Sequence, residues 1–456
     1  ADVVLSPAQR RHRGLVRRRR RWRPVQLVAA AMAVVVVAAL TSFGVAQLLA
    51  SPPGVTVVTQ VLSQPTVATT VPSLENTEIA LPEGVEFLYG NSYFRGGPAR
   101  TGFEDASGPV DAAGQYWTYE TAALIDATPI VYGRNLLVGS TDGNLYAIDA
   151  SKGQVMWTFP TEGRISASPA IGEVNTGEGK KPALVVVVGD DGVVRARDAV
   201  TQISSQLWST DLGSRIRSSP VVAGDVVYVA TTDGHVYSLS LLDGSEVWRY
   251  PTEGEGIGSI TAGLTYVDGV VYVGTEEGRL DLVDAQSGET VCTRELAAGI
   301  SVAPIVSDGA LYVPTRGNTI FAMPAGTCDG IVSERLPLYA TETAVDVAPA
   351  IVGDHMYLPA GQFLYSLDLR TNLDYNESWS PSKVHTDAMI SAAPVVTNDT
   401  VYFGTQDGTV YAVDAETGDE RWRWRTGNSV WASPAVIDGA LFIASGDGKV
   451  YAVGDG

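Results

Sequence analysis

The side chains with most chemical potential in this 456-residue chain are carboxylates standing directly before a glycine. Asp142, Asp191, Asp233, Asp407 and Asp447 precede Gly143, Gly192, Gly234, Gly408 and Gly448, and Glu277-Gly278 has the same form. A second series, Asp149, Asp198, Asp284, Asp368 and Asp414, trails the first. Loop carboxylates can ligate calcium, but these recur singly, at the interval of a structural unit. Asp-Gly is the pair that a tight hairpin turn selects, because its backbone needs positive φ. Turn chemistry is therefore the better reading. His12, His235, His355 and His385 show no zinc-ligand spacing. No Gly-x-Ser-x-Gly elbow, phosphate loop or haem-attachment motif stands out. No catalytic residue, cofactor or metal is expected.

The elements that carry these turns are strands. Val401–Trp424 alternates apolar residues up to the Asp407-Gly408 turn, continues as a second strand over Thr409–Val413, turns again at Ala415–Gly418 and runs out through Arg421–Trp424. Leu137–Phe159 and Tyr228–Tyr250 repeat this pattern. Each unit opens with small residues and proline, as in Ala127-Thr128-Pro129, Ala167-Ser168-Pro169, Ser218-Ser219-Pro220, Val302-Ala303-Pro304, Val347-Ala348-Pro349, Ala392-Ala393-Pro394 and Ala432-Ser433-Pro434, with a proline-free copy at Ser259-Ile260-Thr261. Eight openings, about 40–50 residues apart, predict an all-β, eight-bladed β-propeller with four-stranded antiparallel blades over residues 90–456. The last unit stops after three strands, and Gln115–Tyr119 resembles a fourth. That early strand is expected to complete the last blade and close the ring, removing open sheet edges.

Charge divides the chain unevenly. Residues 1–24 hold nine arginines against Asp2, a surplus of eight, so the net −20 leaves the remainder at −28. So acidic a body argues against nucleic acid. Val25–Ala50 carries no charge and is long enough to span a bilayer. The basic tail before it (1–24) predicts a cytoplasmic amino terminus, a single transmembrane helix over 25–50 and an exported remainder. A cleaved signal peptide ending near Ala50 competes, although such apolar runs are shorter. Residues 51–89, rich in Pro, Thr and Val, read as an extended stalk. The alternating run Val55–Val61 could instead add to a neighbouring sheet edge.

The motif Ala-x-Asp-x-x-x-Gly-x-x-x-Trp appears at Ala147, Asp149, Gly153 and Trp157, and at Ala412, Asp414, Gly418 and Trp422. A looser copy has Ser238, Gly244 and Trp248. With the lead-in Tyr93–Gly102, it makes the chain resemble the pyrroloquinoline-quinone (PQQ) type propellers, which include quinoprotein dehydrogenases and the propeller lipoprotein of the outer-membrane barrel-assembly machinery. The resemblance implies that Trp117, Trp157, Trp208, Trp248, Trp379 and Trp422 dock between blades against the next glycine turn. Cys292 takes the tryptophan place in blade four, and Cys328 lies in the matching turn of blade five. The docking geometry so implied would join them as a disulfide, with two free buried thiols as the alternative. A quinoprotein would show an adjacent Cys-Cys pair and a Glu/Asn/Asp calcium set, and neither is evident.

On this fold the residue opening each blade should surround the mouth of the central channel: Asp126, Ser166, Arg217, Gly258, Ser301, Asp346, Ser391 and Trp431. Asp126, Arg217, Asp346 and Trp431 stand out because no turn rule requires them. A solvated, mutually paired mouth is the plainer alternative. Blades five and six lose the acidic turn at Arg316-Gly317-Asn318 and Ala360-Gly361-Gln362, and Asn372–His385 interrupts blade six. Such breaks point to a partner surface around Arg316, Gln362 and Tyr375. The function expected is a membrane-anchored, extracytoplasmic, non-enzymatic scaffold or accessory subunit serving other envelope or membrane proteins. A PQQ-dependent oxidoreductase and a ligand-sensing ectodomain are the alternatives.

Overall fold

The computed structural model describes residues 91–92, 94–111, 113–174, 183–200, 206–328, 345–371, 374–375, 379, 383–437 and 439–455. The basic tail, the expected helix over 25–50 and the stalk lie outside these residues. Among the described residues, no helix is long and apolar enough to cross a membrane.

Alternating apolar strands separated by Asp-Gly and Gly turns fold into eight antiparallel sheets, the blades of one propeller. Blade one runs Ile130–Tyr132, Asn135–Gly139, Asn144–Asp149 and Val155–Pro160 from channel to rim. Its middle strand Asn135–Gly139 is buried throughout, whereas the rim strand alternates. A bulge at Ala147/Ile148 turns the rim strand, and equivalent bulges recur at Ser238/Leu239, Leu282/Val283 and Ala412/Val413. The apolar core is divided among neighbouring blades. One cluster joins Trp117 and Phe442 to Val138 and Ile148 across blades eight and one, and another joins Trp208 to Val229 and Leu239 across blades two and three. Each sheet thus buries both faces, as a radial stack requires.

The last blade is completed from the front of the domain. Ala113–Glu120 pairs antiparallel with Lys449–Asp455, placing Thr118 opposite Tyr451. Two blades depart from the regular plan. Blade five shows three strands among the described residues, Ile305–Ser307, Ala310–Thr315 and Thr319–Pro324. In blade six the run read as an interruption supplies the rim strand in two pieces: Asp374–Tyr375 and Lys383–His385 both pair with Phe363–Asp368.

The segment before the first full strand works as a strap. Asn91–Ser92 pairs with the inner strand of blade one. The chain then passes across the channel, and the carbonyls of Pro98, Ala99, Thr101 and Gly102 accept the amides of Tyr266, Val306, Ile351 and Val396 on the inner strands of blades four to seven. Arg95 and Arg100 adopt positive φ (54° and 62°) to make these bends. Beyond Phe103 the strap leaves between blades seven and eight, where Ser107 accepts the Gly439 amide and Pro109 accepts both the Tyr402 hydroxyl and the Trp422 indole N–H.

Close approach explains one class of glycine. Gly244 has φ +71°, and a Cβ there would stand 2.4 Å from the Trp208 ring. Gly224 also has positive φ, +61°, but open space around it. Gly244→Ala should therefore cost more than the ~1 kcal/mol of backbone strain alone, and Gly224→Ala only that strain. Thermal unfolding of both variants should rank them in that order. Equal losses would mean the indole yields freely.

Candidate functional site

Regular hairpins bring the eight blade openings to one end of the channel, beside the first turns: the amides of Thr141, Glu276, Arg316, Gln406 and Gly446 donate to the carbonyls of Leu124, Ser259, Gly299, Met389 and Ser429. The mouth is lined by Asp126, Ser166, Arg217, Thr261, Ser301, Asp346, Ser391 and Trp431 around a cavity of about 240 Å3. Blade four is the correction to the expected ring. Thr261 takes the place assigned to Gly258, because buried Ile260 aligns with Ile125, Ile216 and Ile300. The missing proline hid that three-residue shift.

Two of the mouth's charges are already paired. Arg217 meets Asp190 at 3.3 Å, and Asp346 meets Arg316 at 3.4 Å. Burial raises the pKa of Asp126 against the opposing pull of Arg164. Trp431 is 48% exposed. Two further apolar side chains, Leu124 and Met389, are exposed in the corresponding loops of blades one and seven. They form with Trp431 an apolar series on three consecutive blades that sequence reading missed. The signal was available, since both directly precede the buried isoleucine of their opening.

Arg316 ties blade five to both neighbours, through Glu276 and Asp346. Gln362 donates to the Asp387 carbonyl at 3.1 Å, joining blade six to the blade-seven opening. These contacts do the joining that acidic turns do elsewhere, where Asp142 and Asp447 accept the amides of Ala122 and Gly427. Tyr375 lies toward the opposite end of its blade, opposite Leu367. The structure thus brings Arg316 and Gln362 to the mouth face and leaves Tyr375 apart.

The tryptophans sit between blades. Trp117, Trp208, Trp248 and Trp379 donate their indole N–H to the carbonyls of Ala150, Leu241, Ala285 and Ala415, and their rings cover Gly153, Gly244, Gly288 and Gly418. A flat indole on a bare backbone buries much apolar area and keeps its one donor satisfied. Trp422 turns to the strap carbonyl of Pro109 instead. Trp157 differs again: its N–H has no partner among the described residues, and the Arg197 guanidinium lies 3.4 Å from its ring centroid. Between blades four and five, Cys292 and Cys328 form a disulfide.

The turn aspartates are held by their own loops. Asp284 accepts the amides of Gln286 and Ser287 and the Ser287 hydroxyl. The Ser287 amide and then its hydroxyl hold that carboxyl below the ordinary carboxylate range. Asp414 accepts the amides of Glu416 and Thr417 in the same way. Among the described residues, no group of three or more His, Cys, Asp and Glu side chains could hold a metal ion.

Eight blades, indoles docked on glycine turns and a closing strand borrowed from the front define a PQQ-like propeller. The family model described as outer membrane protein assembly factor BamB matches residues 108–204, 183–264 and 256–453, and the chain belongs to that family. An outer membrane protein assembly factor BamB from Yersinia pestis is 25% identical over 306 residues, covering 64% of this chain and 72% of its own. The crystal structure of BamB from Moraxella catarrhalis superposes with a TM-score of 0.60 at 20% identity, over 75% of this chain and all of that one. Quinohemoprotein alcohol dehydrogenase from Comamonas testosteroni shares the fold, with a TM-score of 0.63 at 15% identity over 80% of each chain.

Proposed function

We propose that this protein is a non-enzymatic propeller that serves as an accessory or docking subunit in the assembly of envelope membrane proteins. The carrying observation is the family match across nearly the whole ring, to a family described as an outer membrane protein assembly factor. In this reading residues 1–24 stay in the cytoplasm, 25–50 cross the membrane, 51–89 form the stalk and 90–456 the extracytoplasmic body. The uncharged run after nine arginines supports that topology. A disulfide suits an oxidising compartment.

Docking is assigned to the mouth face. Trp431, Met389 and Leu124 offer apolar anchors on a rigid ring, and buried aromatic residues dominate the energetics of most interfaces. Arg316 and Gln362 extend the face to blades five and six, whereas a contact at Tyr375 would need a partner that also reaches the opposite end of blade six. Affinity purification from solubilised membranes, read by mass spectrometry, identifies the partner. Trp431→Ala with Met389→Ala should lower its recovery by about tenfold, a loss of roughly 1.4 kcal/mol, with thermal stability unchanged. Unaltered recovery in this variant and in Arg316→Glu, Gln362→Ala and Tyr375→Ala would remove the docking assignment.

A further inference from the structure

The floor of the channel holds a charge that the chain leaves unbalanced. Arg95 is 4% exposed and lines the mouth cavity from below. One of its terminal nitrogens donates to the Pro349 carbonyl, while Nε and Nη1 have no hydrogen-bond partner among the described residues. Arg100, also buried, stands close enough to oppose its charge, yet all three Arg100 nitrogens are committed to the carbonyls of Leu264, Phe94 and Pro220. Neither guanidinium has a carboxylate partner among the described residues. A buried cation with idle donors is costly unless a counter-charge meets it.

A second feature points to the same place. Around one arc of the channel the Ser433 amide donates to the Thr128 hydroxyl, the Thr128 amide to Ser168 and the Ser168 amide to Ser219, at 3.0–3.1 Å. A hydroxyl whose oxygen accepts a backbone amide keeps its hydrogen to donate. Ser301 Oγ, on the same cavity, has no hydrogen-bond partner among the described residues. The cavity is thus furnished mainly with donors above a cation.

We propose that the channel is a binding site for one small oxyanion, a carboxylate or an inorganic phosphate or sulfate, seated on Arg95 and held by the hydroxyls of Thr128, Ser168, Ser219 and Ser301. The available space, about 240 Å3, suits a group of that size. At the rim Arg217 is balanced by Asp190, and Arg316 is already shared by Glu276 and Asp346, so Arg95 on the floor is the cation left to an entering anion. Asp126 at the rim opposes an entering anion, and this makes a usable lever.

The test is calorimetric titration of the full chain in detergent with sodium phosphate, sodium sulfate, sodium acetate, N-acetyl-trialanine and its carboxamide. The expected result is saturable one-site binding of at least one anion and none of the carboxamide. Binding of phosphate or sulfate alone assigns a free inorganic ion. Binding of acetate and the trialanine acid assigns a carboxylate. Arg95→Met should weaken binding by at least about tenfold, the scale of a lost charge-assisted hydrogen bond, and Asp126→Asn should strengthen it. Should Arg95→Met fail to fold, crystals of the unaltered protein soaked in selenate give a second reading. An anomalous peak within hydrogen-bond distance of Arg95 supports the site. No saturable heat with any anion, full binding by Arg95→Met, or a selenate map without that peak overturns it.

Discussion

Trp117→Ala should lower the apparent stability of the propeller by about 3–5 kcal/mol, the range for deleting a large buried aromatic side chain. The expected size follows from position as much as from area. Trp117 belongs to the strand that completes blade eight, its N–H reaches the Ala150 carbonyl of blade one at 2.8 Å, and its ring covers Gly153. One substitution therefore opens a cavity at the joint where the two ends of the ring meet. Denaturant unfolding read by far-ultraviolet circular dichroism would show it as a lower midpoint. Trp431→Ala is the control, since that side chain is half exposed and should change stability by no more than about 0.5 kcal/mol. Equal effects from the two variants would contradict closure of the ring through Trp117.

Loss of the disulfide should rank next. Cys292 and Cys328 are 36 residues apart and link blades four and five, where six of the other joints use an indole. Chain-entropy arguments give about 2–4 kcal/mol for a closed loop of this length. The double substitution Cys292→Ala, Cys328→Ala should move the unfolding midpoint of the oxidised protein by that amount, and reductant should reproduce the shift in the unaltered protein. In the double variant, reductant should have no effect. A midpoint insensitive to both would mean that blades four and five hold together by packing alone, through Leu282, Val313 and Met323.

Much of the ring was legible because local and long-range signals agree. The Asp-Gly turns, the proline at seven openings and the likeness of Gln115–Tyr119 to a fourth strand all imply one period, so strand order and closure follow. Where a marker was missing, reading failed locally: without proline, blade four was set three residues early, at Gly258 instead of Thr261. In blade six, the low-contrast run before His385 concealed a split rim strand. The mouth was harder to read for a physical reason. Whether Arg316 is a free surface cation or a tie between Glu276 and Asp346 depends on residues 40 and 30 positions away, and no periodicity reports that. Arg95 shows the same limit more sharply, since its burial depends on a strap crossing the axis and touching most of the blades.

The strand borrowed from the front has a consequence for how the chain is made. Residues 113–120 leave the ribosome early but find no permanent neighbour until 449–455 follow them. Seven sheets must wait with an unmatched edge at each extremity, a state open to intermolecular pairing. The final hairpin then acts as a latch that only a chain extended through residue 455 can shut, and chains cut short of it would present their unfinished rim to chaperones and proteases.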